Sequence, residues 1–196
     1  MKRICAIVAT LTTVLFFAAC RTTGSSVVYG AGEDILAQTR IGQLLLELRF
    51  SAIDLDGKTV TDEVFKKYDV TLVNIWGTFC KPCLFELPEL QKAYQKYTAR
   101  NCGALALTAD VFIGDAKSVN TAKKIWKDSA CTFPAVQSTE ELQALYENIC
   151  TFPTTFLVDR NGKLIEGSVR EGSMTEKEFE ALFEYGLSFV GEAVKR

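Results

Sequence analysis

Residues 70–76, Val-Thr-Leu-Val-Asn-Ile-Trp, form an almost unbroken β-branched and apolar run, and four positions beyond it begins Cys80-Lys-Pro-Cys83. A strand that is apolar at both odd and even positions must be covered on both faces. The run therefore demands a central strand with helices or further structure packed on either side, and it delivers two cysteines to the strand's exit. Around it, residues 44–53 read as a strand, 54–58 as a hairpin turn with Gly57, and 61–67 as a short helix. Helices are expected at 81–100, 115–127, 138–148 and 175–189, and strands at 104–108, 154–159 and 163–167. Ser138 and Glu141 stand in capping-box spacing, and Arg160-Asn161-Gly162 reads as a hairpin turn. Helices alternating with strands, closed by an antiparallel hairpin, predict one α/β domain on a mixed sheet.

The chain has 196 residues, 48% of them hydrophobic, and a formal net charge of −2. That balance describes a globular domain with no electrostatic footprint for nucleic acid. It has seven cysteines and no histidine, which excludes Ser-His-Asp and Cys-His catalysis, His-containing zinc sites and His-ligated haem. No Gly-rich loop is placed to cradle phosphates, so no nucleotide or flavin cofactor is expected.

Lys2 and Arg3 precede an uncharged run over 4–19, shorter than the roughly 20 residues of a membrane-spanning helix but laid out as an export signal. The run ends Phe17-Ala18-Ala19-Cys20, which resembles a bacterial lipobox, with Phe17 where Leu is usual. One reading is lipidation of Cys20 after cleavage at 19/20; the other is a plain secretory signal with a coincidental cysteine. Both export the protein. Residues 20–44 then form a lipidated cysteine and flexible tether, its first part rich in Gly and Ser, and 45–196 the folded domain.

Cys80 and Cys83 admit three meanings. A closed zinc site needs four ligands, and no second Cys-x-x-Cys exists. Inert core cysteines are the second. The third is a redox dithiol with Cys80 at a helix N-terminus, where unpaired amides and the helix dipole favour a thiolate. Lys81 adds a positive charge, and Pro82 sits in the first turn, where its missing N–H costs nothing. Motif and strand–helix setting agree on the third. Cys102, Cys131 and Cys150 are left over; a Cys131–Cys150 bridge, buried thiols, or a regulatory thiol all remain open.

These segments resemble the thioredoxin superfamily, in its membrane-tethered TlpA-like (ResA-like) branch. The resemblance runs through Leu72-Val-Asn-Ile-Trp-Gly-Thr-Phe-Cys80-Lys-Pro-Cys83-Leu-Phe-Glu86-Leu-Pro88, through Phe152-Pro153-Thr154-Thr155-Phe156, and through an N-terminal hairpin over 49–60. It implies a thioredoxin-like fold with a helix–strand insertion within 111–134. It also implies Cys80 as nucleophile, Cys83 as resolving thiol, and a cis proline at 153 beside them, where an ordinary trans proline is the alternative. The implied substrate surface is Trp76, Phe79, Phe152, Pro153 and Thr154, with backbone beside Pro153 pairing to the client chain. Phe152 is bulkier than the family's usual residue there, which predicts a narrower client range. Where thioredoxin proper has a buried carboxylate in the central strand, this chain has Asn74. Glu86 either tunes the cysteine pair through its charge or complements the helix N-terminus.

The function implied is an extracytoplasmic thiol-disulfide oxidoreductase, cofactor-free apart from its own dithiol and lipid-anchored to the outer face of a bacterial cytoplasmic membrane. It would reduce exported clients, such as apocytochrome c cysteines, a methionine sulfoxide reductase or other thiol proteins, and be re-reduced by an integral membrane thiol reductase. Its rivals are a disulfide-donating oxidant of the same fold, a metal chaperone, a peroxide-reducing enzyme and a non-catalytic surface lipoprotein.

Overall fold

The computed structural model describes residues 47–193; the expected signal, Cys20 and the tether over 20–44 lie outside them. A small antiparallel hairpin, β1 (Ser51–Ile53) and β2 (Thr59–Thr61), leads through a 3-10 turn (Asp62–Lys67) into the main sheet. That sheet has the order β5-β4-β3-β6-β7, built from β3 (Val70–Trp76), β4 (Cys102–Phe112), β5 (Ala135–Ser138), β6 (Thr154–Asp159) and β7 (Arg170–Glu171). β3, β4 and β5 are parallel, whereas β6 and β7 run antiparallel to their neighbours. The described residues also form four α-helices: α1 (Lys81–Tyr97), α2 (Ala116–Asp128), α3 (Glu140–Tyr146) and α4 (Glu176–Ala193). This is the mixed-sheet, thioredoxin-like α/β fold expected.

Every residue of β3 is buried, and its two faces feed two cores. Val70, Leu72 and Trp76 pack with Leu87 and Leu90 of α1 and Phe179 and Phe183 of α4. Val73 and Ile75 face the other way, among Phe50, Phe65, Leu142 and Phe156. Each such side chain removed from water contributes about 1.5–3 kcal/mol, which is why the strand tolerates no exposed face.

Four expectations are corrected at element level. β4 runs four residues beyond 108 because Val111 is still a core residue. The insertion's helix α2 lies within 111–134, but its strand β5 begins just past Pro134, pairing with β4 at Ala106↔Ala135 and Leu107↔Val136. Ser138 is the last residue of that strand, so no Ser138–Glu141 capping box forms; Thr139 caps α3 instead, its hydroxyl accepting from Leu142 N at 3.3 Å. Residues 163–167 make no strand. Only Leu164 bridges to Val158, Gly167 turns the chain away at φ 74°, and the Ser168 hydroxyl takes the Leu157 N–H that a strand would have taken, at 3.0 Å.

Candidate active site

β3 ends at Trp76, and the chain must reverse from a buried strand into α1 within four residues. Cys80 N donates to Gly77 O at 3.1 Å, closing the turn. Cys80 is the N-cap of α1, and its sulfur accepts from Cys83 N at 3.3 Å. Pro82 fills the first turn, which holds no acidic residue. Cys80 and Cys83 are joined as a disulfide. They differ in access: Cys80 keeps 6% of its surface exposed, and Cys83 none. Lys81 and Pro82 are exposed beside them. Of the two, Cys80 alone has surface open to solvent, and a helix N-terminus is a setting that favours negative charge on sulfur.

The turn is also anchored from β4. That strand overruns β3, so Asp110 stands beside the loop, and its carboxylate accepts from Thr78 N at 2.9 and 3.0 Å and from the Thr78 hydroxyl. Nothing in the sequence flags Asp110; its role follows from the overrun of β4.

Glu86 is 1% exposed. It does not complement the helix N-terminus: its carboxylate accepts from Asn74 Nδ2 at 2.7 Å and from Met174 N at 3.0 Å. Neither donor is charged, and burial outweighs both, so its carboxyl is pushed up to about 7. Asn74 also reaches Thr155 Oγ1 at 2.9 Å, tying β3, β6 and α1 together. Asn74 was legible as a departure from a titrating residue, whereas Met174 and Thr155 carry no local signal of their part.

The Phe152–Pro153 bond is cis, and Pro153 O accepts from Gly172 N at 2.8 Å. Phe79, 64% exposed, meets Phe152 edge-on with ring centroids 5.6 Å apart. Its ring lies directly over Gly77, where a Cβ would come within 2.4 Å of it. Phe85, 78% exposed and unforeseen, lies one helical turn from Pro82. Two expected surface residues are corrected. Trp76 is wholly buried and stacks on Trp126 at 5.6 Å. Thr154 is wholly buried as well, its hydroxyl spent on Thr151 O at 2.7 Å. β3 and β6 are central strands, so side chains along them meet core, not substrate.

Cys131 directs its sulfur to Leu87 O at 3.7 Å, and no Cys131–Cys150 bridge forms. Burial pushes the Cys102 and Cys131 thiols up to about 12. Among the described residues, no group of three or more acidic or thiol side chains is gathered to hold a metal ion, and no helix is long and apolar enough to cross a membrane.

Residues 44–166 match the AhpC/TSA family. The thiol-disulfide oxidoreductase ResA of Bacillus thuringiensis subsp. konkukian (strain 97-27) is 33% identical over 132 residues, covering 67% of this chain and 70% of that protein. The thioredoxin-like protein YneN of Bacillus subtilis (strain 168) is 31% identical over 133 residues, 66% of this chain and 74% of the other. Among solved structures, a thiol:disulfide interchange protein of the thioredoxin family from Chlorobium tepidum TLS superposes with a TM-score of 0.60 at 22% identity, over 71% of this chain and 93% of that one.

Proposed function

The chain belongs to the AhpC/TSA family, among its ResA-like thiol-disulfide oxidoreductases, and from that premise we propose that Cys80 and Cys83 carry a disulfide-reducing reaction on exported client proteins. The observation that carries the reading is the unequal access of a bridged pair at a helix N-terminus, Cys80 at 6% exposure and Cys83 at none.

The reaction begins with the pair as a dithiol. The Cys80 thiolate attacks one sulfur of a client disulfide; a Cys80–client bond forms, and the client's other sulfur leaves as a thiolate that takes up a proton. Cys83 then loses its proton and attacks the Cys80 sulfur, expelling the second client thiolate, which is protonated in turn. Two electrons and two protons pass to the client, and the bridged pair remains. Glu86, one helical turn beyond Cys83, is the carboxylate placed to take the Cys83 proton, since a carboxyl lifted to about 7 exchanges protons near neutrality. Lys81 adds positive charge beside the Cys80 thiolate. The exposed Phe79, the half-buried Phe152 and the backbone beside Pro153 receive the client chain. No external cofactor enters the exchange; an integral membrane thiol reductase would restore the dithiol.

Export through a signal over 1–19, a lipid on Cys20 and a tether over 20–44 would hold the domain, 45–196, at the outer face of the cytoplasmic membrane. The apolar run ending Ala18-Ala19-Cys20 supports this placement. A Cys20→Ser variant should leave the membrane fraction, and one that stays membrane-bound removes the anchor.

The deciding experiment equilibrates the full chain in thiol buffers and reads the pair by alkylation and mass spectrometry. A potential at or below about −250 mV supports the reductase, whereas one near about −120 mV makes the protein a disulfide donor. Peroxide turnover at a rate set by Cys80 would overturn both.

A further inference from the structure

We infer that Asp110 is a positioning residue for thiol-disulfide exchange, clamping the Gly77–Cys80 turn through Thr78 so that the Cys80 sulfur stays seated on the first amides of α1. The inference rests on the reading of Cys80 as nucleophile.

The argument starts from what the turn lacks. Gly77, Thr78 and Phe79 link a buried strand to a helix, and the Phe79 side chain is mostly exposed. The turn's internal bond, Cys80 N to Gly77 O, fixes its shape but not its place on the sheet. Asp110 supplies that: both its oxygens accept from Thr78 N, at 2.9 and 3.0 Å, and one also accepts a hydrogen bond from the Thr78 hydroxyl. Hydrogen bonds to an ionised acceptor are roughly twice as strong as neutral ones, and these cross 32 residues of sequence. β4 reaches this place only because it continues past Thr108, the partner of Trp76, to Phe112.

The clamp matters in the reaction because Cys80 exchanges its sulfur partner at each step, from Cys83 to the client and back. Each exchange pulls on the turn. A turn pinned two residues before Cys80 keeps the sulfur at the Cys83 N–H, 3.3 Å away in the bridged form, whichever sulfur it is bonded to. Asp110 does this despite its charge. Lys81 follows Cys80 in the chain, Glu86 stands on the same helix and Asp110 reaches Thr78, two residues before Cys80; a carboxylate near a thiolate disfavours it. Clamp and charge therefore predict opposite signs when Asp110 is replaced, and that makes the roles separable.

The test measures the alkylation rate of Cys80 and of Cys83 against pH in the reduced full chain, each read on its own peptide by mass spectrometry. In Asp110→Ala the midpoint for Cys80 should rise and its rate at pH 7 fall by about three- to tenfold, following the lost thiolate fraction. Asp110→Asn keeps a carbonyl for Thr78 N and removes the charge, so its midpoint should stay at or below that of the parent. A midpoint in Asp110→Ala that is unchanged or lowered overturns the inference. Should Asp110→Ala fail to fold, Asp110→Ser, whose oxygen stands one bond short of the carboxylate's, takes its place: its midpoint should shift upward, and one that is unchanged or lowered overturns the clamp. If Cys83 alkylates faster than Cys80 in the parent protein, the nucleophile assignment itself fails, and the clamp with it.

Discussion

Asn74 of the central strand donates its amide to the buried carboxylate of Glu86 at 2.7 Å, so the strand position that cannot titrate orients a helix residue that can. Burial lifts that carboxyl from the ordinary 4.5 to about 7. Between those values the unfolded chain has released the proton and the folded chain holds it, so the unfolded state binds fewer protons and stability falls as pH rises from about 4.5 to about 7. Glu86→Gln removes this slope. Relative to the parent it should gain on the order of 3 kcal/mol across that window, read from urea midpoints at pH 4.5 and 7.5. The same substitution should remove a step near pH 7 from the rate at which Cys83 closes on a mixed disulfide.

Phe79 and Phe152 meet edge-on, with the Phe79 ring over Gly77, three residues before Cys80. Phe152→Thr removes that ring pair and should widen the range of reducible client peptides. Gly77→Ala should act in the same direction with both phenylalanines kept in the sequence. A Cβ there sits 2.4 Å from the Phe79 ring, and the ring, being a side chain, can swing away. The two variants are checked by competing peptide disulfides with small and bulky residues beside the cysteine. An unchanged preference in both would leave the aromatic pair without a role in selection.

Cys102 and Cys131 should be poor nucleophiles. Burial lifts both thiols from 9.0 to about 12, which cuts the thiolate fraction at pH 8 by about a thousandfold, while higher intrinsic nucleophilicity restores part of it. Iodoacetamide should modify them about thirty- to a hundredfold more slowly in the folded protein than in urea. Equal rates would mean that the interior around them is open to solvent.

The central strand, the dithiol and the helix after it were readable because each is written in adjacent residues: a two-faced apolar run, a cysteine pair, a proline in the first turn. What escaped depends on residues far apart in the chain. Trp76 and Thr154 sit in motif positions, yet their side chains fall on core faces of β3 and β6, which only the strand order reveals. Asp110 gains its place from an overrun of β4 that the run over 104–108 does not announce. The edge strand β5, at four residues, is too short for its periodicity to stand out beside the helix after it. Glu86 was visible as a residue, but one of its two hydrogen-bond donors is the backbone of Met174, 88 positions away.

The unequal access of the two cysteines makes the final prediction. If Cys80 attacks and Cys83 resolves, removing Cys83 must strand the reaction halfway. Cys83→Ala, reduced and mixed with a disulfide-bonded client, should accumulate a mixed disulfide that mass spectrometry maps to Cys80. Cys80→Ala should accumulate none, because Cys83 has no exposed surface and no partner sulfur can approach it along the line of the bond. Trapping through Cys83 instead would require the start of α1 to unwind during turnover, and the helix N-terminus would then no longer be what stabilises the reacting thiolate.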